Sequence, residues 1–355
     1  MSVFSANNCA PFVIAGPCGI ESHRQFCDSL AAIADIPQVM MIRCGVWKPR
    51  TRPGDFEGLG EKALAWVSEQ KQQYPHLLFA AEVASPAHLE LCLRYGLDAV
   101  WIGARTTGSP FSVSELCQAL QGTAIPVMVK NPLIPDLRLW TGAIERVLGA
   151  GVADVAAVHR GFYLDNNLGY RNNPLWKIPI ELKRQCPDLP LLCDPSHIAG
   201  KAELLGGVAQ TAMDLCFDGL MIETHPHPEQ ALSDARQQIT PQQLAELIVN
   251  LRIPAKDNTL PDELQLLRNE IDTIDEELLQ LLARRNSVSL KIACIKRANN
   301  LSVLQLDRWE RLLRNHLQQA ETLGLSAEYV RHIFEEIHAE SVRLQHEMLD
   351  GRRGT

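Results

Sequence analysis

Apolar residues in the first 250 positions fall in short, nearly unbroken runs rather than in alternation: 12–15, 40–44, 78–81, 99–102, 127–129, 155–158, 191–193 and 220–222. A strand covered on both faces reads this way, whereas a strand with one wet face alternates apolar and polar residues. The segments between the runs, such as 58–70 and 86–95, are long enough for crossover helices. Eight strand-helix units in about 250 residues predict a (β/α)8 barrel.

The pattern is lost over Arg252-Ile253-Pro254-Ala255-Lys256-Asp257-Asn258-Thr259-Leu260-Pro261, whose two prolines mark a linker. Beyond it Leu264, Leu267, Ile271, Ile274, Leu278, Leu281, Val288, Ile292 and Ile295 keep a 3-4 spacing along one long helix, with Asp262 placed to cap its start. Arg285 is the one charge on that apolar seam. Two more helices are expected at 304–323 and 327–349, separated by Gly324-Leu325-Ser326, where Gly stops one helix and Ser caps the next. The predicted organisation is a barrel domain over 1–252, a linker over 253–261 and an all-α three-helix domain over 262–350. Three helices, the first nearly 50 Å long at about 1.5 Å per residue, make no compact monomer, so the helical domain is expected to form a homodimer.

Composition narrows the partners. The chain has 355 residues, 46% of them hydrophobic, and a formal net charge of -8. That balance argues against nucleic acid or an anionic membrane surface as partner, so anionic substrates need a local basic site. No apolar run approaches the roughly 20 residues of a membrane span, and Met1-Ser2-Val3-Phe4-Ser5 lacks a basic leader before an apolar stretch. A cytoplasmic protein is expected. Ten cysteines stand singly with no Cys-x-x-Cys pair, which reads as small buried side chains in a reducing compartment.

Chemistry gathers where the runs end. Cys18, Arg43, Glu82, Arg105, Lys130, Arg160, His197 and Glu223 each belong to a different strand end, and the C-terminal mouth of a barrel is where such folds place their active sites. Cys18, His197, Glu223 and the nearby Asp234 make a divalent-metal ligand set of mixed softness, better suited to Mn, Fe, Co or Zn than to Mg or Ca. A cation there can polarise a carbonyl. His225 and His227 in Glu223-Thr224-His225-Pro226-His227 are rival ligands that the sequence leaves open. Arg43, Lys48 and Arg50 frame a loop suited to carboxylate and phosphate. In the helical domain Arg285 and Lys296 are eleven residues apart and share a face; Arg268, 17 residues before Arg285, lies roughly 100° round. Ser341 and Gln345 are i, i+4 on the last helix beside Ile337, Leu344 and Met348.

Ala15-Gly16-Pro17-Cys18, Lys48-Pro49-Arg50-Thr51, Gly103-Ala104-Arg105-Thr106-Thr107, Val129-Lys130-Asn131 and Asp194-Pro195-Ser196-His197 resemble 3-deoxy-D-arabino-heptulosonate 7-phosphate (DAHP) synthases, a TIM-barrel family, in their short form without an N-terminal regulatory extension. The resemblance implies Cys18, His197, Glu223 and Asp234 as ligands of a divalent metal, Mn2+ first, with Fe2+, Co2+ or Zn2+ as alternatives. It implies Arg43, Arg105, Lys130 and Arg160 as the phosphoenolpyruvate site, with Lys130 a candidate proton donor, and Lys48, Pro49, Arg50 and Thr51 as the erythrose 4-phosphate site. The related synthase that uses arabinose 5-phosphate is the rival, and the Lys-Pro-Arg-Thr loop points to the four-carbon aldose. Residues 263–349 resemble the all-helical chorismate mutases. That likeness implies Arg285, Lys296, Arg308, Ser341 and Gln345 in one chorismate site, with Lys296 and Gln345 on the ether oxygen and Arg268 reaching into the partner subunit's site. Gln305 and Trp309 depart from the pattern, standing where members often carry acids; Trp309 cannot accept a hydrogen bond from the substrate hydroxyl, though Glu310 could adapt. The implied whole is a bifunctional shikimate-pathway enzyme whose mutase domain also mediates feedback inhibition by prephenate. The alternative makes the helical domain a dimerising sensor that binds chorismate or prephenate with little or no turnover.

Overall fold

The computed structural model describes residues 2–4, 10–49, 54–164, 169–254 and 262–349. The chain divides into two compact units, Met1–Ala255 and Lys256–Thr355.

In the first unit the eight apolar runs are eight parallel strands: β1 (Phe12–Gly16), β2 (Val39–Cys44), β3 (Leu78–Val83), β4 (Ala99–Ile102), β5 (Val127–Lys130), β6 (Val155–His159), β7 (Leu191–Cys193) and β8 (Gly219–Glu223). Each pairs with the next and β8 closes on β1 in one barrel. Between the strands run helices whose starts are set by local chemistry: Ser22, Ser85, Ser109 and Asp136 each accept a backbone N–H of the first turn, and Thr240 with Gln243 forms a capping box.

Alternate strand residues divide between two cores. Ile14, Met41, Ala80, Trp101, Met128, Val158, Leu192 and Met221 pack with Phe4 and Phe12 inside the barrel, while Val13, Ile42, Phe79, Val100, Val127 and Leu220 pack against the helices. Side chains alternate with a period of two. Two positions beyond six of these eight interior residues therefore come Arg43, Glu82, Lys130, Arg160, Asp194 and Glu223, which form the next inward layer at the C-terminal mouth, while Gly16 and Gly103 follow Ile14 and Trp101.

Closure is tight at Gly219, opposite Phe12 in the register, where an added Cβ would lie 2.1 Å from the Phe12 carbonyl oxygen. Gly219→Ala is expected to cost about 3 kcal/mol, in the range of overpacked core substitutions. Urea unfolding followed at the barrel tryptophans measures it; an unchanged midpoint would mean that the seam yields.

The second unit is three helices, Asp262–Ala298, Leu306–Thr322 and Ala327–Leu349, the third packing on both others. At about 1.5 Å per residue the 37-residue first helix is about 55 Å long. Gly324 takes φ 69° after the second helix, and Ser326 Oγ accepts the Tyr329 N–H at the start of the third. The side chain of Asp262, expected as a cap, lies outside the described residues. Leu267, Ile271, Ile274, Leu278 and Leu281 on the long helix remain more than half exposed.

Cysteine burial holds for Cys18, Cys44, Cys92, Cys117 and Cys193, and all described cysteines are free thiols. Cys216 and Cys294 depart from it and are exposed. Cys216 sits at φ 58° in the turn after the helix Ala202–Asp214, and Cys294 points outward from the long helix, so neither has a core to join. Among the described residues no helix is long and apolar enough to cross a membrane.

Candidate active sites

The barrel mouth holds three of the four sequence-predicted metal ligands in one cluster. Cys18 Sγ and carboxylate oxygens of Glu223 and Asp234 lie within 4.8 Å of one another. Gly16 makes this possible: its φ of 146° and lack of a Cβ let β1 pass the Arg43 carbonyl, which a Cβ would meet at 2.4 Å. Cys18 N–H donates to Gln238 Oε1 at 3.0 Å, and Gln237 Nε2 donates to Glu223 Oε2 at 2.6 Å, so two consecutive glutamines fix two members of the cluster. Asp234 accepts from Arg171 Nη1 at 3.0 Å.

His197 stands beside the cluster, with Nε2 3.8 Å from Glu223 Oε1 and Nδ1 2.8 Å from Asp194 Oδ2. A carboxylate on the second ring nitrogen is the arrangement that orients a metal-binding imidazole. Asp194 is fully buried, caps the short helix Pro195–Ala199 by accepting His197 N–H, and takes the Lys130 ammonium at 2.6 Å. His225 turns away: its Nδ1 accepts the His227 N–H at 2.9 Å and its Nε2 lies 3.9 Å from Glu21. His227 is exposed.

Electrostatics here follow from burial among opposite charges. Burial, then Glu223, pushes the Cys18 thiol up to about 12, although the Lys48 ammonium is only 2.8 Å from its sulfur. Glu223 goes the other way: burial opposes ionisation, yet the Arg43 guanidinium at 2.9 Å holds it down at about 2. Arg43 is itself buried, and its Nε and Nη1 have no hydrogen-bond partner among the described residues. A divalent cation fits this donor set: it would convert the thiol to thiolate and relieve the crowding of two carboxylates and a sulfur.

Above the cluster a cavity of about 300 Å³ is lined by Lys48, Pro49, Arg105, Lys130, Arg160, His197 and Asp234, together with Glu82, Tyr163, Arg171 and Asn172. Arg43, Cys18 and Glu223 are not among its lining residues; they lie buried beneath it. Arg160 is held by its N–H to Asn131 Oδ1 and by Nη1 to Asn172 Oδ1, both 2.7 Å, and burial lowers its pKa to about 10. Burial likewise lowers that of Lys130, against the pull of Asp194. Arg105, in the short helix Ala104–Thr107, is exposed at the rim. Arg50 and Thr51 lie outside the described residues.

The residues that sequence reasoning missed here are Asp194 as a charge partner, Arg171, Asn172, Gln237 and Gln238. Asp194 had a signal, the two-residue spacing from the interior Leu192. The others come from loops and, for Gln237, a single 3-10 turn, and had none.

The helical unit has its own cavity, about 260 Å³, lined by Arg285, Ser289 and Lys296 of the first helix, Gln305, Arg308 and Trp309 at the second, and His338, Ser341 and Gln345 of the third. Arg285 Nη1 donates to the Ile337 carbonyl at 3.3 Å, and Lys296 Nζ donates to Val303 O. Burial lowers the pKa of both, and Arg308 adds to the effect on Lys296. Arg268 is exposed and is not among the lining residues, as its angular offset required. Glu310 is exposed and not among the lining residues, one position round from Trp309 on the helix. His338, which the sequence analysis passed over, stacks on Trp309 at 4.0 Å.

A parallel barrel whose mouth joins a possible divalent-cation site to several cationic side chains defines an enzyme acting on phosphorylated or carboxylated anions. Residues 2–253 match the DAHP synthetase I family, and the chain belongs to it; residues 267–346 match chorismate mutase type II, so the helical unit is a chorismate mutase domain. A phospho-2-dehydro-3-deoxyheptonate aldolase from Thermotoga maritima is 27% identical over 240 residues, covering 68% of each chain. The crystal structure of the T. maritima DAHP synthase superposes with a TM-score of 0.61 at 26% identity, again over 68% of each chain. A bifunctional chorismate mutase/prephenate dehydratase from Buchnera aphidicola subsp. Baizongia pistaciae is 37% identical over 87 residues, 24% of each chain.

Proposed function

We propose that the barrel condenses phosphoenolpyruvate with erythrose 4-phosphate to DAHP and phosphate, and that the helical unit rearranges chorismate to prephenate. The carrying observation is the convergence of Arg105, Lys130 and Arg160 on one cavity above Cys18, Glu223 and Asp234. Arg105, Arg160 and Lys130, with Arg43 beneath, hold the phosphate and carboxylate of phosphoenolpyruvate; Lys48 and Pro49, with Arg50 and Thr51, receive the aldose phosphate. Cys18, His197, Glu223 and Asp234 hold a divalent metal, Mn2+ in the first instance, which when bound supplies Lewis-acid polarisation of the aldehyde oxygen. The C3 carbon of phosphoenolpyruvate bonds to the aldehyde carbon, water adds at C2 and phosphate leaves. Lys130 Nζ, 2.6 Å from Asp194, delivers the proton to the new hydroxyl. The buried layer of Arg43, Lys130 and Arg160 stabilises charge developing on the substrate where bulk water is excluded.

In the helical unit Arg285 and Arg308 take the two carboxylates of chorismate, and Lys296 and Gln345 hydrogen-bond the ether oxygen as charge develops there. Homodimerisation is supported by the apolar face of the long helix from Leu267 to Leu281, which a second copy would cover. Arg268 then completes the partner's cavity. Mixing inactive Arg268→Ala and Arg285→Ala subunits should restore about a quarter of the sites, because random exchange makes half of the dimers mixed and each of those has one intact site; no recovery after demonstrated exchange would place the whole site within one chain. Prephenate, bound among Arg285, Lys296 and Arg308, inhibits condensation, a coupling of about 1–3 kcal/mol that is reciprocal for binding. Free thiols and the absence of a spanning helix among the described residues accord with a cytoplasmic setting.

The test is one preparation of the full chain assayed for phosphate release and for chorismate loss, with and without chelator and with added prephenate. Both activities are expected: chelator stops only the first, whereas prephenate inhibits condensation and also competes with chorismate for the cavity it shares. Trp309 in the cavity favours a second reading, a chorismate or prephenate sensor, which would show as binding of chorismate without its loss.

A further inference from the structure

Two buried polar atoms face the helical cavity without a hydrogen-bond partner among the described residues: His338 Nε2 and Gln345 Oε1. Both can accept a hydrogen bond; Gln305 also offers an amide oxygen, but from an exposed position where water satisfies it. The cations Arg285, Lys296 and Arg308 only donate, Ser341 is engaged with Ser289, and no carboxylate is among the lining residues. Such a lining is built for a dianion that also carries a hydroxyl: three cations meet the carboxylates, while buried acceptors wait for the O–H. An acceptor left unfilled in a half-buried site is costly, so its partner belongs to the ligand.

We propose that His338, as neutral imidazole with Nε2 unprotonated, accepts the hydroxyl of the bound ligand and is a substrate-binding residue of the mutase site. The proposal rests on the chorismate reading of this cavity and supplies the acceptor that Trp309 cannot. The indole of Trp309 lies 4.0 Å from the imidazole at 16° between planes, so it backs the ring and limits its rotation. The second helix thus gives up an acceptor at position 309, and the third helix returns one from the position stacked upon it.

Neutrality of the ring follows from what surrounds it. Burial comes first, and Arg285 and Lys296 of the first helix then repel a proton, so the pKa of His338 lies below its ordinary 6.5. Arg308 of the second helix lines the same cavity from an exposed position. On its own helix Glu335, one turn earlier, is exposed to solvent. The acceptor role and a cationic role make opposite demands on pH. As acceptor, His338 loses its function on protonation and turnover falls on the acid side. As a fourth cation for the carboxylates, it would strengthen binding there.

The test compares the wild-type full chain with His338→Ala and His338→Gln, using chorismate as probe, between about pH 5 and 8. Retained condensation activity and far-ultraviolet circular dichroism establish that each variant is folded. At pH 7.5 His338→Ala should lower kcat/KM for chorismate about tenfold, the worth of one hydrogen bond, and His338→Gln, which keeps an acceptor, should recover most of it. Wild-type kcat/KM should fall below the His338 pKa, and this acid limb should be absent from His338→Gln. Wild-type turnover by His338→Ala, an acid limb that persists in His338→Gln, or tighter use of chorismate on acidification would each overturn the proposal. If the wild type binds chorismate without converting it, the mutase reading fails separately. Chorismate dissociation constants then decide: about tenfold weaker for His338→Ala supports the acceptor, and equal affinity refutes it.

Discussion

Cys18→Ser abolishes condensation, lowering its kcat by at least about a thousandfold, while chorismate turnover by the same preparation stays at the wild-type rate. The sulfur is buried 3.2 Å from Asp234 Oδ2 and 2.8 Å from Lys48 Nζ, where burial and Glu223 already hold the thiol neutral. A divalent cation held by Cys18, His197, Glu223 and Asp234 would reverse that balance, with thiolate as its soft ligand. Serine keeps the volume but not the chemistry: its hydroxyl is far harder to ionise and remains a hydrogen-bond donor to Asp234. Removing the metal from wild-type protein with a chelator should give the same loss, and adding Mn2+ back should restore the wild type only. Phosphate release and chorismate loss, measured side by side, check the result. A full condensation rate in metal-free protein would defeat the assignment of Cys18, His197, Glu223 and Asp234 as metal ligands.

Lys296→Ala has the converse effect, a fall of about 10²- to 10³-fold in kcat/KM for chorismate with condensation unchanged. Lys296 and Arg285 stand on one face of the long helix and line the cavity with Arg308, and Lys296 Nζ is positioned by the Val303 carbonyl. Preorganised donors of this kind act mainly where charge develops, and loss of one typically costs this much in rate. Lys296→Arg should rescue little, because a planar fork does not reproduce a compact ammonium at the same reach. Steady-state kinetics of both reactions on one preparation check it. A drop confined to KM would mean that Lys296 binds substrate and transition state alike and does not stabilise the rearrangement.

How far the barrel could be read from the sequence is shown by its strands. Each apolar run became a strand shifted by no more than two residues at either end, because a strand buried on both faces leaves no polar residue to blur its limits. Lys130 and Glu223 were legible for the same reason, being the polar residues that end an otherwise closed pattern, and Arg43 as the one charge inside such a run. Asp194 was equally legible from its place two residues after Leu192, yet its role as the shared partner of Lys130 and His197 is a matter of distance across the barrel. Arg171 and Asn172, by contrast, belong to a loop with no periodicity. Their pairing with Asp234 and Arg160 exists only once β6 and β8 have been brought round the closed barrel.

In the helical unit the 3-4 spacing marked the long helix, Gly324 and Ser326 marked the break between the other two, and helical geometry set the shared face of Arg285 and Lys296. It could not find His338. A histidine on a helix is chemically neutral evidence until a second helix lays Trp309 against it and leaves Nε2 without a partner. The sequence by itself therefore determined the elements, their order and the identity of the groups available for chemistry, because periodicity and residue type are local properties. Only the tertiary structure decided which of those groups share a charge, an acceptor or a cation site, because those relations depend on distances between residues far apart in the chain, as with Cys18 and Asp234.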